Sequence, residues 1–164
     1  MTMFNRVLFR LLSLSALTLA ASLTVIAPAF AQKKEAYWAS IGPDEARMRT
    51  GPGRLFPASW VYRRAGLPIK VIETYPNWRK IEVPSGTQGW MQANLISETR
   101  TAIVTSEIRP LRDRPDADAR IILRAEPGVV GRISECAKGW CKFDVRGRMG
   151  FMEAQHIWGA DPIK

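Results

Sequence analysis

Three observations predict an all-β fold made of two small tandem β-barrels. Short stretches that alternate polar and apolar residues are separated by glycine and proline, as in strands joined by tight turns. Beyond residue 31, no apolar period of 3.6 residues lasts longer than about two turns, so long helices are not expected. The third observation is an internal repeat, which predicts two similar units of many short strands.

The repeat relates residues 71–96 to residues 133–157. The matched pairs are Val71 with Ile133, Glu73 with Glu135, Trp78 with Trp140, Lys80 with Lys142, Ile81 with Phe143 and Val83 with Val145. After a gap of one residue, the register continues with Gly89-Trp90-Met91 against Gly150-Phe151-Met152 and Ile96 against Ile157. Because one register holds across so much of both segments, we interpret it as an internal duplication.

Residues 1–31 have the pattern of a secretory signal peptide. Arg6 and Arg10 form a basic start, an uncharged apolar stretch follows, and an Ala-x-Ala cleavage site ends at Ala31. The alternative is an uncleaved membrane anchor, but the apolar stretch reaches only the lower end of a spanning length. We therefore expect cleavage between Ala31 and Gln32, a periplasmic or secreted protein, and membrane contact only transiently through the signal peptide.

The remaining chain has room for two small domains, which we predict at residues 32–99 and 100–164. Each has about sixty residues, near the lower limit at which a chain stabilises its own core. The full chain has a net charge of +9, and the +7 that remains without Arg6 and Arg10 is spread through both units. A solvated basic surface is the simple explanation, and an anionic extracytoplasmic partner, such as cell-wall carboxylates or lipid phosphates, is the functional one. No nucleic-acid partner is expected, because an exported protein rarely meets nucleic acid.

The strands of both units follow from alternation and from the turns between them. In the first unit, extended stretches are predicted at residues 36–41, 45–49, 59–63, 68–75, 78–83 and 89–91, with a single helical turn at 92–95. Its turns and loops fall at residues 42–44, 50–57, 76–77 and 84–86. In the second unit, residues 99–105 open as a strand, 109–115 repeat the role of 46–52, 116–119 form a shorter loop, and 121–124 correspond to 61–64.

Two cysteines, Cys136 and Cys141, lie in the second unit, on either side of an expected hairpin turn. Export to an oxidising compartment favours a disulfide that clips this hairpin. A catalytic thiol or a metal pair is the alternative. It is weak, because His156 is the only histidine and zinc usually takes four ligands, so no metal and no cofactor are expected.

An ordered set of landmarks recurs in both units. The first unit shows Met48-Arg49-Thr50-Gly51-Pro52-Gly53, then Trp78, then Gly89-Trp90-Met91, and the second shows Leu111-Arg112-Asp113-Arg114-Pro115, then Gly139-Trp140-Cys141, then Gly150-Phe151-Met152. This order resembles the bacterial SH3-like domain family over nearly all of the mature chain. The resemblance implies two tandem SH3-like β-barrels and a non-enzymatic targeting or binding module, often associated with cell-wall material or peptides. The second unit departs from the family pattern where Arg114 replaces the loop glycine and Phe151 replaces tryptophan.

Catalysis is not expected from the residues that could carry it. A cysteine or serine nucleophile normally needs a nearby base, and His156 falls opposite Leu95 in a terminal turn. Glycoside hydrolysis needs two carboxylates across a cleft. The repeated acids are Glu73 with Glu135 and Glu82 with Asp144, which better suit charge partners on strand surfaces. We therefore predict that the protein is not an enzyme.

Aromatic residues beside arginine are the candidate binding surface, and most of them lie in the first unit. The predicted ligand-binding residues are Trp60, Tyr62, Tyr75, Trp78 and Arg49. Trp78 and Trp140 follow a turn and are candidates for half-exposed rings, but the sequence alone does not decide whether Trp78 is exposed. The pairs Trp90 with Phe151 and Ile81 with Phe143 should be core. Shallow aromatic grooves bind extended peptides in SH3 domains, so the first unit is the predicted binding face and the second a disulfide-stapled support.

Two functions remain open at this point. The first is a binding module for a cell-wall or envelope component or a peptide. The second is a structural module that binds another exported protein. Affinity for purified wall polymer would favour the first, and a stable complex in extracytoplasmic extract would favour the second.

Overall fold

The computed structural model describes residues 35–160, and this part of the chain is built from strands and two short 3₁₀ turns. The predicted signal peptide and its cleavage site at Ala31 and Gln32 lie outside the described residues. Within residues 35–160, no helix has the length and apolar character needed to cross a membrane.

The first barrel, as we call the sheet of residues 37–97, has seven strands. They are β1 (Tyr37–Ile41), β2 (Ala46–Arg49), β3 (Ala58–Tyr62), β4 (Pro68–Tyr75), β5 (Trp78–Glu82), β6 (Gln88–Gln92) and β7 (Ile96–Ser97), with a 3₁₀ turn at Ala93–Leu95. The predicted strands and the predicted helical turn are therefore present. The two-residue strand β7 was not predicted, because so short a segment shows no period.

The second barrel, residues 101–158, repeats this set of strands. They are β8 (Thr101–Val104), β9 (Arg109–Arg112), β10 (Ile121–Ala125), β11 (Val130–Ala137), β12 (Trp140–Val145), β13 (Arg148–Glu153) and β14 (Ile157–Trp158), with a 3₁₀ turn at Ala154–His156. The sheet orders are β3-β2-β6-β5-β4-β1-β7 and β10-β9-β13-β12-β11-β8-β14. Adding seven to every number of the first order gives the second, so the duplication seen in the sequence is also a duplication of topology. The expected match of residues 121–124 with 61–64 is wrong, because Leu123 faces Leu111 as Trp60 faces Met48, so residues 121–124 correspond to 58–61.

Each barrel has its own hydrophobic core, formed by alternate residues of its strands. Ile81 and Phe143 are fully buried, as predicted. The expectation that Trp90 and Phe151 are core residues is wrong, because both are only partly buried. Their neighbours on either side take the inward positions: Gly89 and Met91 in β6, and Gly150 and Met152 in β13.

The predicted disulfide is present between Cys136 and Cys141. The two cysteines face each other across β11 and β12, with their Cα atoms 4.0 Å apart. In the first barrel, the corresponding cross-strand pair is Thr74 and Arg79. The guanidinium of Arg79 donates to the main-chain oxygens of Tyr75 (2.8 Å) and Trp78 (2.9 Å), so a side chain holds the hairpin there.

The two barrels contact each other directly. The rings of Trp38 in β1 and Trp158 in β14 meet edge to face, with centroids 4.7 Å apart. The hydroxyl of Thr101 donates to the main-chain oxygen of Gly66 at 2.8 Å. Arg64 donates to the main-chain oxygen of Gly128 at 3.1 Å, which joins the corresponding turns of the two barrels.

Candidate aromatic binding groove

A groove of about 540 Å³ lies in the first barrel between β3 and the turn that joins β5 to β6. Trp60 and Tyr62 alternate along β3 and therefore share the face that borders the groove. Pro84 and Ser85 of the turn line it from the other side. Ile103 of the second barrel also lines the groove, so both barrels contribute to this site.

The two aromatic side chains of the groove have different environments. Trp60 is 61% exposed, which leaves much of its indole free to contact a ligand. Tyr62 is partly buried, and its hydroxyl donates to the sulfur of Met48 at 3.9 Å. Burial raises the pKa of the Tyr62 hydroxyl above its usual range, so the phenol is neutral at physiological pH.

The lining of the groove is suited to binding rather than to acid–base chemistry. Among the described residues that line it, none is an acid, a lysine, an arginine, a histidine or a cysteine. The polar groups available are those of Ser59, Ser85, Thr87 and Gln88, together with the Tyr62 hydroxyl. Such a mixture of apolar surface and a few uncharged hydrogen-bonding groups is typical of sites that recognise small molecules or extended segments.

Three of the five residues predicted to bind a ligand do not line this groove. Tyr75 is 52% exposed and packs edge to face against Trp90, with ring centroids 6.3 Å apart. Arg49 and Trp78 line a different, shallow depression together with Gln92. The structure thus brings Trp60 and Tyr62 together, and separately brings Arg49 next to Trp78.

The two candidates for half-exposed rings differ, because Trp140 is partly buried whereas only 7% of Trp78 is exposed. Sequence reasoning placed it beside a turn, where solvent exposure is common. Residues remote in sequence surround it instead: Arg47 and Arg49 of β2, and Ala93 and Leu95 of the 3₁₀ turn, line the depressions at its edges. The ring therefore offers little surface to a ligand in this conformation.

Arg49 holds the loop between β2 and β3. Its guanidinium donates to the main-chain oxygen of Phe56 at 2.7 Å. The corresponding residue of the second barrel, Arg112, donates in the same way to the main-chain oxygen of Ala119 at 2.6 Å. Because both barrels keep this hydrogen bond, it accounts for the repeated arginine as a support for the loop.

The glycine of that loop is required by packing. The ring of Phe56 lies directly over Gly51, where a Cβ atom would collide with it. In the second barrel, Arg114 is found at the matching place and the buried Ala119 occupies part of the loop instead of an aromatic ring. The approach of Phe56 thus accounts for Gly51 of the first barrel.

Sequence reasoning missed the residues of the β5–β6 turn as part of the groove. Pro84 and Ser85 were treated only as turn residues. One signal was present: the first barrel has one more residue here than the second, since Val83 bonds to Thr87 whereas Val145 pairs with Arg148. The extra residue belongs to the turn that lines the groove.

No metal centre is indicated in residues 35–160, where no three side chains of histidine, cysteine or acid cluster as ligands. The main-chain oxygen of His156 accepts from the Thr105 amide at 3.0 Å. Its Nε2 lies 3.5 Å from a carboxylate oxygen of Glu153. These contacts hold the second 3₁₀ turn next to the end of β8 and to β13. His156 does not line the groove of the first barrel.

A model of the family described as Bacterial SH3 domain matches this chain twice, at residues 42–98 and 105–159. The chain belongs to the bacterial SH3 domain family. The two matches fall on the two barrels, which we now call the first and second SH3 domain. Both landmark regions, the Arg49 segment and the Gly89-Trp90-Met91 strand with their counterparts, lie within the matched residues.

Other known proteins are similar to this chain over part of their length. A Bacillus subtilis (strain 168) protein named "Putative N-acetylmuramoyl-L-alanine amidase YrvJ" is 24% identical over 130 residues, which cover 73% of this chain and 25% of that protein. The chain thus spans about a quarter of the length of this relative. Among solved structures, NlpC2 from Trichomonas vaginalis has a TM-score of 0.36 at 9% identity, covering 75% of this chain and 48% of that one. An NlpC/P60 family protein from Bacillus cereus ATCC 10987 has a TM-score of 0.34 at 12% identity, covering 74% and 55%.

Proposed function

We propose that this protein is an exported, non-enzymatic binding module that recognises a component of the bacterial cell wall or envelope through the groove of the first SH3 domain. The observation that carries the proposal is the exposed indole of Trp60 beside the half-buried Tyr62 in a groove without charged lining. An aromatic anchor in a mostly apolar groove is a common source of binding energy. The disulfide supports export, since disulfides persist in oxidising compartments.

The similarity to the Bacillus subtilis relative supports a cell-wall component as the ligand. The name of the Bacillus subtilis relative refers to N-acetylmuramoyl-L-alanine, a unit of wall material. The match covers about a quarter of that protein, so an amidase activity does not follow for this chain. Since no acid, histidine or cysteine lines the groove, the proposal assigns it recognition and not turnover.

Cosedimentation with purified peptidoglycan across a salt series tests the proposal. We expect Trp60→Ala to weaken binding by about tenfold or more, because truncation of a central aromatic anchor typically costs that much. Tyr75→Ala is the matched control, since Tyr75 is an exposed aromatic residue of the same domain that lies outside the groove. The binding should persist in salt, because the groove has no charged lining.

Three results would count against this assignment. Equal losses in the Trp60 and Tyr75 variants would mean that exposed aromatics act without a groove. Binding that disappears with modest salt would mean that charge alone is responsible. Absence of binding at every salt concentration would instead favour another exported protein as the partner, which capture from extracytoplasmic extract would then reveal.

A further inference from the structure

The second SH3 domain has a cavity of about 460 Å³ at the position that corresponds to the aromatic groove. The correspondence follows from strand pairing: Met48 faces Trp60 across β2 and β3, and Leu111 faces Leu123 across β9 and β10. By the same pairing, Ala125 stands where the first domain has Tyr62. Two aromatic side chains are thus replaced by smaller ones, and space is left beneath β10.

Arginines line this cavity. They are Arg124 of β10, Arg146 of the β12–β13 turn and Arg148 of β13. Arg148 pairs directly with Val145, another lining residue, so the two side chains share a face of the sheet. In the first domain, the lining residues that match Arg146 and Arg148 are the uncharged Pro84 and Thr87.

The arginines of the cavity have no partners among residues 35–160. Their side chains form no ion pair within 4.0 Å and donate no hydrogen bond there, and all three are exposed. Other arginines of the same domain are paired: Arg109 with Glu107 at 3.1 Å, and Arg120 with Asp113 at 3.3 Å. No ion pair in this part of the chain therefore compensates the charge of these three guanidinium groups, and Asp144 lines an adjacent depression together with Arg146.

The surroundings of the cavity strengthen the field of these charges. Its remaining lining is apolar, from Leu123, Ala125, Val129 and Val145, and contains no acid. Asp144, the acid next in sequence to Val145, accepts a hydrogen bond from the Gly147 amide at 2.7 Å and so holds the turn that carries Arg146. A concave site with walls of low dielectric and charges of one sign concentrates the electrostatic potential.

We propose that this cavity of the second SH3 domain binds an oxyanion, a phosphate or carboxylate group, through Arg146 and Arg148. Arg124 lies between Leu123 and Ala125 on β10, so the strand period directs its side chain to the other face of the strand. Guanidinium groups suit this ligand, because their planar arrangement of donors matches two oxygens of one phosphate or carboxylate. The site is separate from the aromatic groove. The first domain would then contact a ligand through aromatic surface, and the second through charge.

The test compares two double variants of the whole protein. R146N/R148T removes both positive charges; asparagine tolerates the left-handed backbone of Arg146 (φ 53°), and threonine is the residue of the first domain at the position of Arg148. K138N/K142T is the matched control. It removes two unpaired charges from the same domain, one of them at the left-handed turn residue Lys138 (φ 50°), away from the cavity.

Binding of pyrophosphate, of citrate and of vesicles containing phosphatidylglycerol is measured at about 0.1 M salt. We expect R146N/R148T to bind about tenfold more weakly than the unaltered protein and K138N/K142T to change by less than about twofold. Binding of the soluble anions with this pattern supports a site for a free oxyanion. Binding of vesicles alone with this pattern supports one presented on a lipid headgroup.

Equal weakening in both double variants, or no binding of any of the three probes, would overturn the proposal. A second measurement does not depend on the variants folding well: in the unaltered protein, titration with pyrophosphate should shift the amide resonances of Gly147 and Arg148. Shifts confined to other parts of the chain would also overturn it. The Trp60 dependence of peptidoglycan binding should be the same in R146N/R148T, which separates this proposal from that for the groove.

Discussion

The two SH3 domains have the same strand order but differ in the chemistry beside their third strand. In the first domain, Trp60 and Tyr62 border an uncharged groove. In the second, Leu123 and Ala125 stand at the matching positions and arginines line the cavity. The cores of both sheets are equally well buried, so the difference concerns the surface that faces a ligand. After duplication, a small barrel can thus keep its core while the residues that line the corresponding cavity change from aromatic and uncharged to basic.

The largest difference in stability that we predict between the domains concerns one glycine in each. Gly89 lies where β6 passes β2, and Gly150 lies where β13 passes β9. A Cβ atom on Gly150 would lie 2.5 Å from the main-chain oxygen of Arg112, whereas one on Gly89 would lie 2.5 Å from the side chain of Met48 and 3.0 Å from the main-chain oxygen of Arg49. We expect Gly150→Ala to lower the free energy of unfolding by about 3 kcal/mol and Gly89→Ala by about 1 kcal/mol, since backbone cannot move aside as a methionine can.

Denaturant unfolding of the two variants measures this difference. Gly86→Ala serves as a reference for the effect of adding a methyl group where no atom lies within 4 Å, although the left-handed backbone there adds strain of its own. A larger loss of unfolding free energy for Gly89→Ala than for Gly150→Ala would contradict the prediction, because the crossing at Gly89 would then tolerate an added methyl group less well than the crossing at Gly150.

The next largest effect concerns the disulfide, which is present in the β11–β12 hairpin of the second domain and has no counterpart in the β4–β5 hairpin of the first. C136S/C141S should lower the free energy of unfolding by about 2 kcal/mol, because the bond closes a loop of only a few residues and so restricts the unfolded chain modestly. Denaturant unfolding under oxidising conditions checks the value, with Thr74→Ser at the matching pair of the first domain as the control. The same stability for C136S/C141S as for the control would mean that the bond contributes nothing to this hairpin.

The repeated arginine of the second strand should matter in both domains, but unequally. Arg112→Ala should cost about 1.5 kcal/mol and Arg49→Ala about 0.5 kcal/mol, because the hydrogen bond of Arg112 is partly buried and that of Arg49 is exposed. Thermal unfolding monitors the two variants, and exchange of the loop amides locates the effect. If both variants lose protection only outside these loops, the arginines do not act as loop supports.

The smallest effect is a pH dependence specific to the first domain. Burial raises the pKa of the Tyr62 hydroxyl, so the folded protein keeps this proton at a pH where the unfolded chain has lost it. The resulting stabilisation is complete below the ordinary tyrosine pKa of about 10 and is lost as the pH rises through the higher value of the folded state. The free energy of unfolding of the unaltered protein should therefore fall more steeply above about pH 10 than that of Tyr62→Phe. Parallel pH profiles would contradict this.

The sequence predicted the strands well because their signals are local. Alternation along residues 68–75 and the break at Pro76 and Asn77 coincide with β4 and the turn after it. The pairing of Cys136 with Cys141 was also predictable, since a hairpin places residues on either side of its turn opposite each other. The barrel architecture followed from the resemblance to a family, and the order of the strands in each sheet was not predicted.

The candidate site was predicted less well, because exposure depends on contacts between distant segments. Trp60 and Tyr62 are two residues apart on one strand, and the strand period places them on one face. Trp78 is only 7% exposed, and the residues that line the depressions at its edges come from β2 and from the 3₁₀ turn, which lie far from it in sequence. Trp90 was assigned to the core because the repeated position keeps a bulky apolar residue, Phe151, although the strand period gives the inward places to Gly89 and Met91.

The contact between Trp38 and Trp158 has a spectroscopic consequence. One indole belongs to each domain, the centroids are 4.7 Å apart and the ring planes cross at 84°. At this distance and angle the two chromophores couple, and the resulting circular dichroism signal depends on both domains being in place. A change of that signal on adding peptidoglycan fragments or pyrophosphate would report a movement of one domain against the other, without any label on the protein.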